Sequence, residues 1–114
     1  TARDGYDGKG QWRVRSAMEA GAVSYPGVTC IYEGFVTYET EFSVILVRGA
    51  DGQMKFWDST ANLHEGGMLT RSVLPAGALV AAQVDEARQL AAKVADALGY
   101  VGVLTLEFFA TRDG

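Results

Sequence analysis

Cysteine, histidine and proline are scarce in this sequence: its 114 residues include one Cys, one His and two Pro. A lone Cys30 excludes an intrachain disulfide, and one histidine with one cysteine cannot supply the paired ligands of a zinc cluster. That usage fits a reducing compartment, so a cytoplasmic location is expected. No apolar stretch approaches the roughly 20 residues of a membrane span, and the first residues lack a signal-peptide pattern. With few prolines and no biased tract, no linker or internal repeat is expected. Basic residues are outnumbered as well, ten against fourteen acidic ones, leaving a net charge of −4. That excludes a general nucleic-acid binder or a polybasic membrane partner. The positive charge gathers at the amino end, where residues 1–15 carry +2 against −6 for the remainder.

What is present is 48% hydrophobic residue content in 12.2 kDa, enough for one compact core. The glycine-rich segment Gly5-Tyr6-Asp7-Gly8-Lys9-Gly10 leads into Gln11 to Arg15, where Trp12 and Val14 alternate with polar neighbours as in a half-buried strand. Ser16 caps a short helix over Ser16 to Ala22, and Tyr25-Pro26-Gly27 turns the chain into a β-rich stretch, Val28 to Phe35. Glu41 to Val47, the turn at Asp51-Gly52 and Met54 to Ser59 form a hairpin. Gly66-Gly67 precedes a strand over Met68 to Leu74, which Pro75-Ala76-Gly77 ends. Val80, Val84, Ala87, Ala91, Val94 and Leu98 recur at helical spacing on one face, with Gly99 as a left-handed cap. Val101 to Ala110 reads as a mostly buried strand. The fold class is α+β, mainly antiparallel sheet with one long and one short helix.

Several residues could carry chemistry. The spacing G-x-x-G-x-G matches neither the dinucleotide fingerprint nor the Walker loop, yet its amides could fold over phosphate oxygens with Lys9 adding a charge; alternatively the glycines only make turns. Glu107 interrupts an apolar run, where a carboxylate needs compensation: a magnesium ion is one answer, a salt bridge to an arginine the plainer one. His64 alone is more often a hydrogen-bonded loop or strand residue than a catalyst. Glu33, Glu39 and Glu41 surround a connection between strands, where carboxylates are usually just solvated. Such a connection can also read an adenine edge with its backbone, and a nearby carboxylate can accept from ribose hydroxyls. Cys30, Trp12, Trp57, Phe108 and Phe109 are expected to pack in the core or an interface.

Five blocks together resemble one ATP-grasp family, the carboxyaminoimidazole ribonucleotide synthetases, which are the ATPase subunit of phosphoribosylaminoimidazole carboxylase in purine biosynthesis. They are Gly5 to Trp12; Glu33-Gly34-Phe35-Val36 with Glu41 to Val44; Arg48 to Gly52; Asn62-Leu63-His64; and Leu98 to Val103 with Glu107-Phe108-Phe109. The resemblance implies a partial ATP-grasp fold. It implies a ligase using ATP, Mg2+ and bicarbonate to carboxylate aminoimidazole ribonucleotide through carboxyphosphate. Gly5, Tyr6, Asp7, Gly8, Lys9, Gly10 and Gln11 would then cover the ATP phosphates, with Asp7 facing the aminoimidazole substrate as the catalytic candidate. Glu33, Gly34, Phe35 and Val36 would form the adenine hinge, Glu41 the ribose ligand, His64 a further nucleotide contact and Glu107 a magnesium ligand. The family pattern also has an amino-terminal domain and a carboxy-terminal end with a second magnesium carboxylate. Residues 1–114 are therefore expected to be a central portion, inactive alone, of a cytoplasmic homodimer. Competing readings keep the fold with another acceptor, or make the chain a non-catalytic interaction module.

Overall fold

The computed structural model describes residues 11–24, 27 and 29–113. They fall into two units, one containing residues up to 35 with the turn at 66–68, the other residues 36–65 and those from 69 onward. In the first unit a single short helix, α1 (Ala17–Ala22), forms where expected. The Ser16 hydroxyl accepts from the Glu19 amide, and the Glu19 carboxylate reaches back to the Arg15 amide at 2.7 Å. One of the free N–H groups at the helix start, that of Glu19, is satisfied in this way, and the amide just before the cap is held by the Glu19 carboxylate, one position short of a capping box.

The expected strand over 11–15 does not form, and within the β-rich stretch Val28 to Phe35 only Cys30 makes a bridge. An alternating pattern becomes a strand only when a neighbour completes its hydrogen-bond ladder, and no ladder runs along these residues in the described chain. Of the turn Tyr25-Pro26-Gly27, Gly27 bends with a φ of 64°, while Tyr25, Pro26 and Val28 lie outside the described residues. Gly5 to Gly10 lie outside them too.

The second unit is organised by β1 (Thr40–Arg48), whose β-branched and apolar residues suit a central strand. Along one edge it pairs antiparallel over its full length with β5 (Gly102–Ala110). Along the other it pairs with two shorter strands: β2 (Met54–Phe56) against 46–48, and β3 (Thr60–Glu65) against 41–43. Outside β3 lies β4 (Met68–Val73). The β1–β2 hairpin turns at 49–52, where Gly52 takes a φ of 82° that a residue with a Cβ rarely adopts. The strand expected to run to Ser59 stops at Phe56, and β3 is an element the hydrophobic pattern does not reveal.

Side-chain alternation gives β1 two unlike faces. Phe42, Val44 and Leu46 point to one, where they are at most 2% exposed and pack with Val80, Ala87, Ala91 and Ala95 of α2 (Ala78–Ala97) and with Ala110. Three alanines let the helix approach the sheet closely. Burying each large side chain contributes about 1.5–3 kcal/mol. The expected helix face is confirmed at Val80, Ala87 and Ala91 but ends at Ala95; Val94 and Leu98 are exposed. A helical repeat of 3.6 residues carries the stripe from Ala91 to Ala95 as readily as to Val94, and the smaller residue takes the close contact. Gly99, at φ 56°, then closes the helix: its amide bonds the Asp96 carbonyl and that of Tyr100 bonds Ala95, a Schellman motif.

β5 alternates between half-buried and exposed residues instead of being buried throughout. Its apolar residues Val103 and Phe109 lie on the face opposite α2, where they are 56% and 53% exposed. An apolar composition on both sides of a strand reads as two-sided burial, whereas within this unit the helix covers one side. Trp57 is likewise half-exposed, Trp12 at the edge of exposure, and Cys30 only partly buried. Of the aromatics expected to pack inside, Phe108 is the one that packs against the core.

Candidate functional site

The face opposite α2 gathers polar side chains from four strands. Register places Glu41 of β1 across from Asn62 of β3, and Ser43 across from both Thr60 of β3 and Glu107 of β5. Directly paired residues share a face, and His64, two positions beyond Asn62, joins them. These groups are thus set side by side by backbone pairing before any side chain chooses a rotamer.

His64 sits between two carboxylates. Its Nδ1 lies against Glu41 Oε2, and its Nε2 is 3.5 Å from Glu107 Oε1. The Glu41 carboxylate also accepts from the Tyr38 hydroxyl at 2.5 Å, and the Tyr38 ring stacks on Phe109 with centroids 4.4 Å apart. Glu41 and His64 are largely covered, with side chains 15% and 19% exposed, whereas the Glu107 side chain is 54% exposed. The carboxylate expected to be buried is therefore open to solvent on one side. Its compensation comes from Asn62 and His64, and the arginine of the plainer reading is not the partner found.

Asn62 is the buried centre of the group at 8% exposure. Its Nδ2 donates to Ser43 Oγ at 2.7 Å and to Glu107 Oε1 at 3.2 Å, while its Oδ1 accepts from Thr60 Oγ1 at 3.2 Å and Ser72 Oγ at 3.0 Å. All four hydrogen-bonding positions of the amide are used. Further along the same face, toward the carboxy-terminal half of β1, Ile45, Trp57, Leu74 and Val103, with Asp58 and Thr60, line an open, mainly apolar groove of about 440 Å³.

Of the residues singled out from sequence, Glu41, His64 and Glu107 come together. Val36 belongs to the same unit, in irregular exposed chain. Glu33, Gly34 and Phe35 belong to the first unit, also irregular and exposed, and Gln11 is exposed there as well. Gly5, Tyr6, Asp7, Gly8, Lys9 and Gly10 lie outside the described residues. Glu39 pairs with Arg112 at 2.9 Å. Sequence reasoning did not single out Asn62, Ser43, Tyr38 or Ser72 as site residues. The one signal available was the Asn-x-His spacing, which puts both side chains on one face once the segment is a strand.

The donor set bears on a cation. Among the described residues no group of three or more His, Cys, Asp or Glu could hold a metal by itself. Glu107 offers one carboxylate with a solvent-facing side. Magnesium characteristically takes one or two carboxylates and completes its shell with water and a ligand's phosphates, so a single open carboxylate fits a nucleotide-borne magnesium. It does not fit a closed protein cage.

Comparison with known proteins gives a consistent result. The family model for the ATP-grasp domain matches residues 1–114. The chain is 40% identical over 116 residues to N5-carboxyaminoimidazole ribonucleotide synthase of Bacillus subtilis, covering 100% of this chain and 30% of that protein. It superposes on N5-carboxyaminoimidazole ribonucleotide synthetase of Thermus thermophilus with a TM-score of 0.79 and 38% identity, over 88% of this chain and 28% of that one. With a solved ADP complex of such a synthetase the TM-score is 0.85 at 36% identity, over 97% of this chain and 30% of the other. The chain thus spans about three tenths of the length of the relatives it matches. No described helix is long and apolar enough to cross a membrane.

Proposed function

Because the chain belongs to the ATP-grasp family, we propose that it forms the central part of the nucleotide site of an enzyme that carboxylates aminoimidazole ribonucleotide with ATP and bicarbonate. The observation that carries this reading is the meeting of Glu41, His64 and Glu107, from three strands, on the face of the sheet that α2 leaves uncovered. The relatives' names, which give N5-carboxyaminoimidazole ribonucleotide as what is made, and the ADP bound in one of them support this choice of acceptor and nucleotide.

In this reaction the γ-phosphoryl group of ATP passes to bicarbonate, giving ADP and carboxyphosphate. The amine of the ribonucleotide then attacks the carboxyl carbon, and inorganic phosphate leaves. Glu41 accepts from the ribose hydroxyls, with Tyr38 and His64 holding its carboxylate in position. Glu33, Gly34, Phe35 and Val36 present backbone groups to the adenine edge. The amides of Gly5, Tyr6, Gly8, Gly10 and Gln11, with the charge of Lys9, cover the phosphates, and Asp7 orients the aminoimidazole. Glu107 would hold magnesium, which would supply positive charge to offset that on the transferring phosphoryl group. The enzyme works as a soluble cytoplasmic homodimer.

The test is ATP consumption by the full-length protein with bicarbonate and aminoimidazole ribonucleotide. Turnover dependent on both supports the reading; hydrolysis indifferent to the ribonucleotide assigns the machinery to another acceptor. If alanine at both Glu41 and Glu107 leaves nucleotide affinity unchanged, the segment is a non-catalytic module.

A further inference from the structure

Asn62 touches no group that would meet a nucleotide, yet it commits a buried amide to one oxygen of Glu107. Of its four partners, three are hydroxyls, those of Ser43, Thr60 and Ser72, which can donate or accept and therefore do not dictate which way the amide faces. The fourth, Glu107 Oε1, is a carboxylate oxygen that can only accept. The amide's orientation is thus fixed by Glu107, and in return its N–H fixes Glu107. His64 Nε2 approaches the same oxygen. Among the described residues Oε1 collects both contacts, and no contact engages Oε2 of this half-exposed side chain.

Strand register explains how the two residues meet. Asn62 lies opposite Glu41 and Glu107 opposite Ser43, on the two edges of β1, so the contact runs diagonally across the central strand. It passes over Ser43, which is 7% exposed and small enough for the Asn62 amide to cross. A larger side chain there would occupy the space.

We infer that Asn62 is the positioning residue for Glu107, its amide holding Oε1 so that Oε2 is presented to a divalent cation. The inference rests on the reading of Glu107 as a cation ligand. Partners that orient a metal ligand carry roughly 10- to 100-fold in metal affinity, although they never touch the metal.

The experiment titrates the full-length protein with Mn2+ in the presence of ADP, reading free Mn2+ by its electron paramagnetic resonance signal. It compares the wild type with N62A, E107Q and the double variant, and measures ADP affinity separately without metal. The expected result is about a tenfold loss of Mn2+ affinity in N62A, no further loss when N62A is added to E107Q, and unchanged metal-free ADP binding. Wild-type Mn2+ affinity in E107Q overturns the reading of Glu107 and the inference with it. A weakened E107Q beside a wild-type-like N62A overturns the inference alone. Equal losses from N62A in both backgrounds, or a parallel loss of metal-free ADP binding, make Asn62 merely structural and also overturn it. Should N62A fail to fold, S43V takes its place: it keeps Asn62 but fills the crossing point, and a folded S43V with wild-type Mn2+ affinity refutes the clamp.

Discussion

The two faces of one strand obey opposite rules. On one side of β1, Phe42, Val44 and Leu46 meet the alanines of α2 in a contact with no polar group. On the other, Glu41 and Ser43 meet Asn62, His64 and Glu107 in a network where every contact is a hydrogen bond or ion pair. Both sets are placed by the same ladder, so the backbone that is stabilised on the first face holds the second in register. Hydrophobic burial is non-directional and supplies stability; the polar face devotes precise placement to charged groups whose desolvation is at best offset. A site that must bind a charged ligand is better carried by a rigid strand than by a loop, because the register tolerates no small shifts.

The largest effect should come from breaking the first face. Phe42→Ala removes a nearly fully buried ring that also stacks on Phe108, at a centroid distance of 5.5 Å. We expect about 3–5 kcal/mol of destabilisation in chemical denaturation, with the site lost only because the fold is. Ala91→Leu attacks the same interface from the helix. Ala91 is completely buried, and added methylenes would push α2 off the sheet at a cost of about 1–3 kcal/mol. A melt unchanged by Ala91→Leu would show that α2 does not rest on β1 as closely as its alanines indicate.

The two faces also differ in how far the sequence reveals them. The core side was legible wherever apolar residues recur at a clean period: β1, the 49–52 turn, α2 with its Gly99 cap, and β5 were all expected near their observed limits. β3 was not, because its covered position holds Asn62 while Leu63, its most apolar residue, is 45% exposed. A strand whose polar side chains turn inward inverts the pattern by which strands are recognised. In 11–15 the opposite happened: the alternation is present but no ladder completes it. Glu41, His64 and Glu107 were identified through a family resemblance, since each alone has an ordinary structural explanation. That they meet is a consequence of pairing across β1, which no local pattern encodes. Asn62 was quoted in the block Asn62-Leu63-His64 but given no role for the same reason, as its importance lies in four partners, three on β1, β4 and β5 and one on its own strand.

On the polar face, Glu41→Gln should separate binding from stability. The amide keeps the size of the side chain and can still accept from Tyr38, so the loss of stability should stay below about 1 kcal/mol. The charge-assisted contact proposed between Glu41 and the ribose would be lost, and ADP affinity of the full-length protein, measured by calorimetry, should fall about tenfold or more. A comparable drop in stability would mean that Glu41 belongs to the scaffold and that the two faces divide their roles less cleanly.

The smallest effect is expected at the end of β1, where a charged pair serves the scaffold and no ligand. Arg48 Nε donates to Asp96 Oδ1 at 2.9 Å, and its Nη1 donates to the Tyr100 carbonyl at 3.1 Å, just past the end of α2. A guanidinium at a helix carboxy-terminus meets the negative end of the helix dipole, and the bond to the Tyr100 carbonyl does not depend on Asp96, so Arg48 keeps favourable contacts when Asp96 is removed. The Asp96 side chain is 60% exposed, where water competes for the pair and salt screens it. Asp96→Ala should therefore cost only about 0.2–1 kcal/mol in urea denaturation at low ionic strength, and less in high salt. It should leave ADP and Mn2+ affinity unchanged. The contrast with Glu41→Gln is the point of the measurement: both remove one carboxylate that faces a cationic or polar partner across elements, and only the one on the uncovered face should be felt by the nucleotide. Nucleotide binding that weakens with Asp96→Ala would show that the docking of α2 on the sheet is coupled to the site.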